Sequence, residues 1–233
     1  MFAVSWLLRA LLAAGGILLV FTAWPVAISA LYFQQADVVI SRLREDRPIN
    51  LPDALAAIDA VDRAVHADPT GARRLLRSEL LAGAAAGLNW AAPDSQRDQW
   101  LHTAAADLEY GLATAPARGI AWLRLANVRY SLEGGPSPDV VVPLLMSIDT
   151  APVLQRLWPA RMELILTNWT SFTDEQREKV AEHIVNEWRQ SSDRRGFVKA
   201  IRRPVDELYL RYMLRDVPGA QEEFSLWLLS ARR

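Results

Sequence analysis

Between Ala10 and Ala36 the chain carries no charged side chain, and from Leu11 to Leu31 only Thr22 and Ser29 interrupt the apolar run. At about 1.5 Å of rise per residue, a helix of this length crosses a hydrocarbon layer of about 30 Å. The expected element is one transmembrane helix over about 10–33, within an anchor region 1–36. Trp6, Tyr32 and Phe33 fall at the ends of that run, where aromatic side chains favour the membrane interface. Pro25 lies inside it and removes one backbone hydrogen bond, a loss that lipid-embedded helices tolerate. The rival reading is a cleaved signal peptide, with Ala27-Ile28-Ser29 as the small-residue cleavage site. The apolar region is longer than a signal core, and Leu31-Tyr32-Phe33 continues it, which favours a retained anchor.

Composition constrains the rest of the chain. It has 233 residues, 51% of them hydrophobic, enough for one helical core behind the apolar segment. A formal net charge of -1 argues against a nucleic-acid binder, which needs a large cationic surface to neutralise phosphates. There is no cysteine, so disulfides, thiolate nucleophiles and cysteine zinc sites are excluded. Lys179 and Lys199 are the only lysines among abundant arginine and alanine, a bias of high-GC bacterial genomes.

Behind the anchor, Pro, Gly and Asn punctuate helical patterns, and no alternating β-branched run appears. Pro52, Pro93 and Pro204 stand where a first-turn proline starts a helix. Thr173 and Gln176 have the spacing of a capping box, and Val180, Ile184, Val185 and Trp188 form one face of the helix it opens. Three segments end alike: Ala57 to Val65 before Pro69; Ala104, Leu108, Gly111 and Leu112 before Pro116; and Val140, Leu144, Ser147 and Ile148 before Pro152. Trp122 follows Pro116 by six residues and Trp158 follows Pro152 by six, so the two pairs are 36 residues apart.

This pattern resembles tetratricopeptide repeats, whose period is about 34 and whose small residues let antiparallel helices approach closely. Trp122, Leu125 and Ala126 follow the family's Trp-x-x-Leu-small order, whereas Arg129 stands where it prefers tyrosine. Pro69 and Pro116 are 47 residues apart, which points to an insertion around Asn89 to Ser95. The expected fold is all-α: a transmembrane helix, then irregular tetratricopeptide-like antiparallel hairpins forming an α-solenoid. Its parts are a juxtamembrane linker or helix extension over 37–51, repeats over 52–170 and a C-terminal helical capping region over 171–233.

The order of anchor, irregular repeats, Ala121-Trp122-Leu123-Arg124-Leu125-Ala126 and then Arg129-Tyr130-Ser131-Leu132-Glu133-Gly134 resembles inner-membrane accessory proteins of bacterial exopolysaccharide synthesis and export. The resemblance implies a non-catalytic, single-pass inner-membrane component with most of the chain periplasmic. Its partners would be other membrane or envelope proteins of a polysaccharide assembly complex. The positive-inside rule, applied to Arg42, Arg44 and Arg47 after the span against Arg9 before it, favours the opposite orientation.

No catalytic, cofactor-binding or metal site emerges from the residues. His66, His102 and His183 are 36 and 81 residues apart, with no spacing that puts two ligands on one helix face. Glu133 to Pro138 lacks the lysine and glycine spacing of a phosphate cradle and reads as an interhelical loop. The one marked charge excess comprises Arg189, Arg194, Arg195, Lys199, Arg202 and Arg203, with Asp193 the single acid among them. These are the candidate contacts for an anionic polysaccharide or anionic lipid, weighed against a solvated face paired with Asp206 and Glu207. Among the tryptophans, Trp122, Trp158 and Trp188 read as core, while Trp90, Trp100 and Trp169 are less constrained. Trp90 and Trp169 are the candidate surface aromatics of the alternative function, a glycan- or anionic-lipid-binding module.

Overall fold

The structure, a computed structural model, describes residues 2–45, 47–191 and 194–231, with side chains over 12–45, 47–191 and 194–230. The side chains of Trp6 and Arg9, and all of Asp46 and Asp193, lie outside the described residues. Every described element is helical. In chain order these are α1 (Phe2–Arg44), α2 (Leu51–Ala67), α3 (Gly71–Gly87), α4 (Asp94–Thr114), α5 (Gly119–Glu133) and α6 (Pro138–Thr150). They continue as α7 (Trp158–Thr167), α8 (Asp174–Gln190), the short α9 (Arg195–Lys199), α10 (Pro204–Met213) and α11 (Ala220–Ala231). The chain forms two compact units, residues 1–107 and 108–233, whose boundary falls within α4.

Helix starts obey local chemistry. Asn50, Thr70, Ser137 and Thr173 each accept a backbone N–H of the first turn, satisfying donors that have no intrahelical partner. The capping box of Thr173 and Gln176 is present in full. Pro52 lies in the first turn of α2, Pro204 opens α10, and Pro93 directly precedes α4. Helices α2, α4 and α6 each end two residues before a proline, at Ala67, Thr114 and Thr150. The unequal proline spacing has a plain origin: α3 and α4 have 17 and 21 residues, whereas α5 and α6 have 15 and 13. At the end of α5, Gly134 takes φ 67°, a left-handed cap that glycine adopts without strain.

The first unit is built on α1, one helix of 43 residues that runs unbroken through Pro25. It is long and apolar enough to cross a membrane. From Leu12 to Val26 its large apolar side chains are exposed, and from Ser29 onward one stripe is not: Ser29, Phe33, Ala36 and Ile40 are buried. That stripe faces α2, whose inward residues Ala54, Ala57, Ala60, Val61 and Ala64 are small enough for close approach. Leu43 continues the stripe onto α3 at Gly83, where an added Cβ would lie 2.8 Å from the Leu43 Cδ1. Residues 37–44, expected as a linker or helix extension, continue α1, with Val39 and Ile40 buried against the unit.

In the second unit α5 and α6 pack closely against each other. At Gly119 an added Cβ would collide with the Ala151 Cβ and lie 3.2 Å from the Ser147 carbonyl. Around this pair Leu144, Ile165, Leu166, Val180, Ile184, Leu210 and Phe224 form the core. Phe197 sits edge-on between Trp158 and Trp188, with ring centroids 4.7 and 4.9 Å away. Such edge-to-face pairs place ring hydrogens against π faces and favour this orientation.

Gly119→Ala is expected to destabilise the chain by roughly 1–3 kcal/mol through overpacking. Gly135→Ala, at a site open to 4 Å, is expected to stay within about 0.5 kcal/mol of the parent. Denaturant unfolding of both variants measures the contrast.

Candidate functional site

The first unit's distinguishing surface is the exposed apolar length of α1 and the place where it enters the core. Leu12, Ile17, Leu18, Leu19, Val20, Phe21 and Trp24 are each at least half exposed. Among the described residues no helix of the unit buries these side chains, whereas α1 from Tyr32 onward is held on several sides. Arg42 pairs with Asp53 at 3.4 Å, and Arg44 makes two bonds to Glu79 at 2.7 and 3.1 Å. The Arg63 guanidinium lies over the Tyr32 ring at 5.6 Å and that of Arg73 over the Phe33 ring at 4.9 Å. The packed part of α1 thus begins at Ser29, short of the expected span end at residue 33, because Ser29 and Phe33 are core residues facing α2.

One ion network ties the other helices of this unit. Asp107, 1% exposed, accepts two bonds from Arg77 at 2.6 and 2.8 Å, and Arg77 also reaches Asp62 at 2.9 Å. The bonds to Asp107 hold the Arg77 guanidinium above its usual range despite burial. A bidentate arginine fork of this kind joins α2, α3 and α4.

The cationic run of the second unit is mostly engaged within the fold. Arg203 donates to Asp206 at 2.7 Å and to the Leu166 carbonyl at 2.9 Å, fastening α10 to α7. Burial would push the Asp206 carboxyl up, but the Arg203 guanidinium and the backbone N–H groups of Arg203 and Arg202 outweigh it and hold it below the usual range. Arg194 lies over the Trp188 ring at 4.5 Å and pairs with Glu223 at 3.2 Å. Arg202 is 4.0 Å from Glu163, and Arg195 also has a partner. Lys199 is exposed, and Arg189 borders a slot of ≈ 180 Å³ beside Glu178, Glu182 and Arg215.

The tryptophans divide differently from expectation. Trp169, expected as a surface aromatic, is 7% exposed: it opens the turn between α7 and α8 and stacks on Tyr209 of α10 at 5.4 Å. Trp90 is 78% exposed and lies in the first unit, whereas the cationic run lies in the second. Trp100 is buried. Trp188 is core as expected, whereas Trp122 and Trp158 are only half-buried. The Trp122 indole donates to the Pro116 carbonyl at 2.7 Å, while the buried Trp158 indole N–H has no hydrogen-bond partner among the described residues.

A buried polar cluster is not foreseen from the sequence. Arg161, 1% exposed, donates to the Ser147 carbonyl, to Ser147 Oγ at 3.1 Å and to the Ala151 carbonyl at 2.9 Å. These carbonyls close the C-terminal end of α6, where the helix dipole is negative and a cation is favoured. Facing Arg161 on α8 are His183 and Glu187, both buried and 3.9 Å apart. Burial, assisted by the Arg161 charge, lowers the His183 imidazole to about 4. Burial also raises the Glu187 carboxyl to about 7, against the pull of Arg161. Both residues are therefore neutral at mildly acidic pH, and Arg161 keeps its charge against the helix end. A signal for the pair exists in the sequence, since positions 183 and 187 share the face of Val180, Ile184 and Trp188.

Among the described residues no group of three or more histidine, cysteine or acidic side chains is placed to hold a metal ion. Comparison with protein-family models, with curated proteins and with solved structures returns no match. The functional reading therefore rests on the sequence and the geometry.

The buried pair has opposite effects on stability. Unfolded, Glu187 loses its proton near 4.5; folded, it keeps it to about 7, so its contribution is complete below 4.5 and lost as pH rises to 7. His183 protonates near 6.5 when unfolded but only near 4 when folded, so its contribution is complete above 6.5 and lost as pH falls to 4. Glu187→Gln leaves the histidine alone, and its unfolding midpoint should rise with pH between 4 and 6.5. His183→Gln should show the reverse slope between 4.5 and 7, each by up to about 1 kcal/mol per pH unit. Parallel profiles for the two variants in thermal unfolding of the detergent-solubilised chain would contradict this assignment.

Proposed function

We propose that this chain is a single-pass membrane protein whose helical hairpins form a non-catalytic docking platform for proteins of a bacterial envelope polysaccharide assembly. The observation that carries the reading is α1. One continuous helix exposes its large apolar side chains from Leu12 to Val26 and buries one stripe from Ser29. From Ala10 to Ile28 such a helix measures about 28 Å, close to the hydrocarbon thickness of about 30 Å. Cleavage at Ala27-Ile28-Ser29 would cut this helix beside a fully buried residue and free the start of the core-forming stripe. A retained anchor keeps both parts whole.

The platform consists of tetratricopeptide-like hairpins, a reading supported by the common end of α2, α4 and α6 two residues before a proline. Docking is assigned to apolar side chains that remain exposed on the second unit, including Leu208 and Tyr212 on α10 and Leu226 and Leu229 on α11. The polysaccharide assignment and the periplasmic orientation rest on the resemblance to exopolysaccharide accessory proteins. Arg42 and Arg44, which count against that orientation, sit about 20 Å or more beyond Ile28 along α1 and are paired with Asp53 and Glu79.

A reporter active only outside the cytoplasm, fused after Arg233, should be active; an inactive reporter contradicts the orientation. The tagged full chain should co-purify with membrane proteins of polysaccharide polymerisation or export. Leu226→Glu with Leu229→Glu should reduce that recovery severalfold at unchanged helix content. Equal recovery by the double variant would remove α11 from the docking surface.

A further inference from the structure

Where α1 enters the first unit, a groove of ≈ 540 Å³ opens between it and the end of α2, lined by Ile28, Tyr32, Asp62, Arg63, His66 and Ala67. Its depth is set by α1. If the hydrocarbon segment ends at Ile28, then Tyr32 stands one turn, about 6 Å, further out. A headgroup layer is roughly 5–7 Å thick, so the groove spans that layer. The lining changes accordingly: Ile28 is apolar, Tyr32 is an aromatic suited to the interface, and Asp62, Arg63 and His66 are polar.

The charges are of both signs. Arg63 is ion-paired with Asp59, and its side chain is 55% exposed; Asp62 accepts from Arg77 at 2.9 Å, and its side chain is 52% exposed. Each is tied on one side and open on the other. An anion entering here would gain Arg63 and His66 but meet the Asp62 carboxylate, whereas a zwitterion meets a counter-charge at both ends. We propose that this groove seats the headgroup of a zwitterionic phospholipid of the phosphoethanolamine type. The phosphate lies against Arg63 and His66, the ammonium donates to Asp62, and the acyl chains run along α1 below Ile28. This site rests on the reading of α1 as a membrane span.

The test is native mass spectrometry of the full chain in mild detergent, offered phosphatidylethanolamine, phosphatidylglycerol or phosphatidylcholine separately at equal concentration. The native chain should retain one phosphatidylethanolamine in preference to the other two. Phosphatidylcholine has the same charges but no N–H to give Asp62. Arg63→Gln with His66→Gln should lower that retention roughly fivefold or more, the effect of losing one charge-assisted hydrogen bond. His66→Gln alone, at an exposed position, should lower it measurably, and circular dichroism verifies that helix content is unchanged. Asp62→Asn should shift preference towards phosphatidylglycerol. Equal retention of the three lipids, preference of the native chain for phosphatidylglycerol, or retention indifferent to His66→Gln would each overturn the site. Alkaline extraction of native membranes separates the two readings. A chain released into solution removes the span and the groove's ligand together, whereas a chain that stays in the membrane without lipid preference removes only the ligand.

Discussion

A single helix that must satisfy two surroundings governs this structure. From Leu12 to Val26 α1 exposes its large apolar side chains, which water does not reward and a bilayer does. Over its second half it offers one stripe, Ser29, Phe33, Ala36 and Ile40, to a partner helix lined with alanine and valine. The helix runs unbroken through both halves, lacking only the bond that Pro25 cannot donate, so the junction is set by the side chains. Because α2 and α3 are built on the packed half, the orientation of the first unit relative to the apolar half is set by a rigid rod rather than by a linker. That rigidity places the end of α2 and its groove at a defined height beside Ile28.

The second unit meets a different constraint, the burial of charge. Arg161 is nearly inaccessible, yet its donors reach the carbonyls that terminate α6, so a helix end stands in for the carboxylate that a buried arginine ordinarily needs. Glu187, the buried acid that interacts with it, is kept largely protonated by burial on the acidic side of neutrality, and His183 is kept neutral. Similar economy explains the cationic run, where Arg194 and Arg203 bind the fold together by stacking on Trp188 and by joining Asp206 to the Leu166 carbonyl. The cations that look available in sequence are largely structural in space.

The features legible in the sequence are those determined locally. The uncharged run, the first-turn prolines, the capping box at Thr173 and the three helix ends before prolines depend on neighbours within a few residues, and the all-helical architecture results from them. The concealed features depend on contacts between distant elements. Phe33 reads as an interfacial aromatic because hydrophobicity does not tell lipid from a partner helix. Trp169 reads as free because its burial comes from Tyr209, forty residues later. Trp122 and Trp158 share a phase with respect to proline, but one follows a turn into α5 and the other a 3-10 turn into α7, and only the first gains the carbonyl bond. His183 and Glu187 lie on an apolar face in plain view, and polar residues there go unnoticed because periodicity counts only the apolar ones.

The most direct measurement is an accessibility scan of α1 with spin labels at successive positions from Leu12 to Ile40 in the reconstituted chain. Collision with oxygen, which concentrates in lipid, should be high from Leu12 to Val26, except at the half-buried Pro25. It should then collapse at Ser29, Phe33, Ala36 and Ile40 while the intervening positions become accessible to aqueous reagents. Uniform lipid exposure through Phe33, or aqueous exposure beginning before Trp24, would contradict a rod that leaves the bilayer at Ile28 and enters the protein core one residue later.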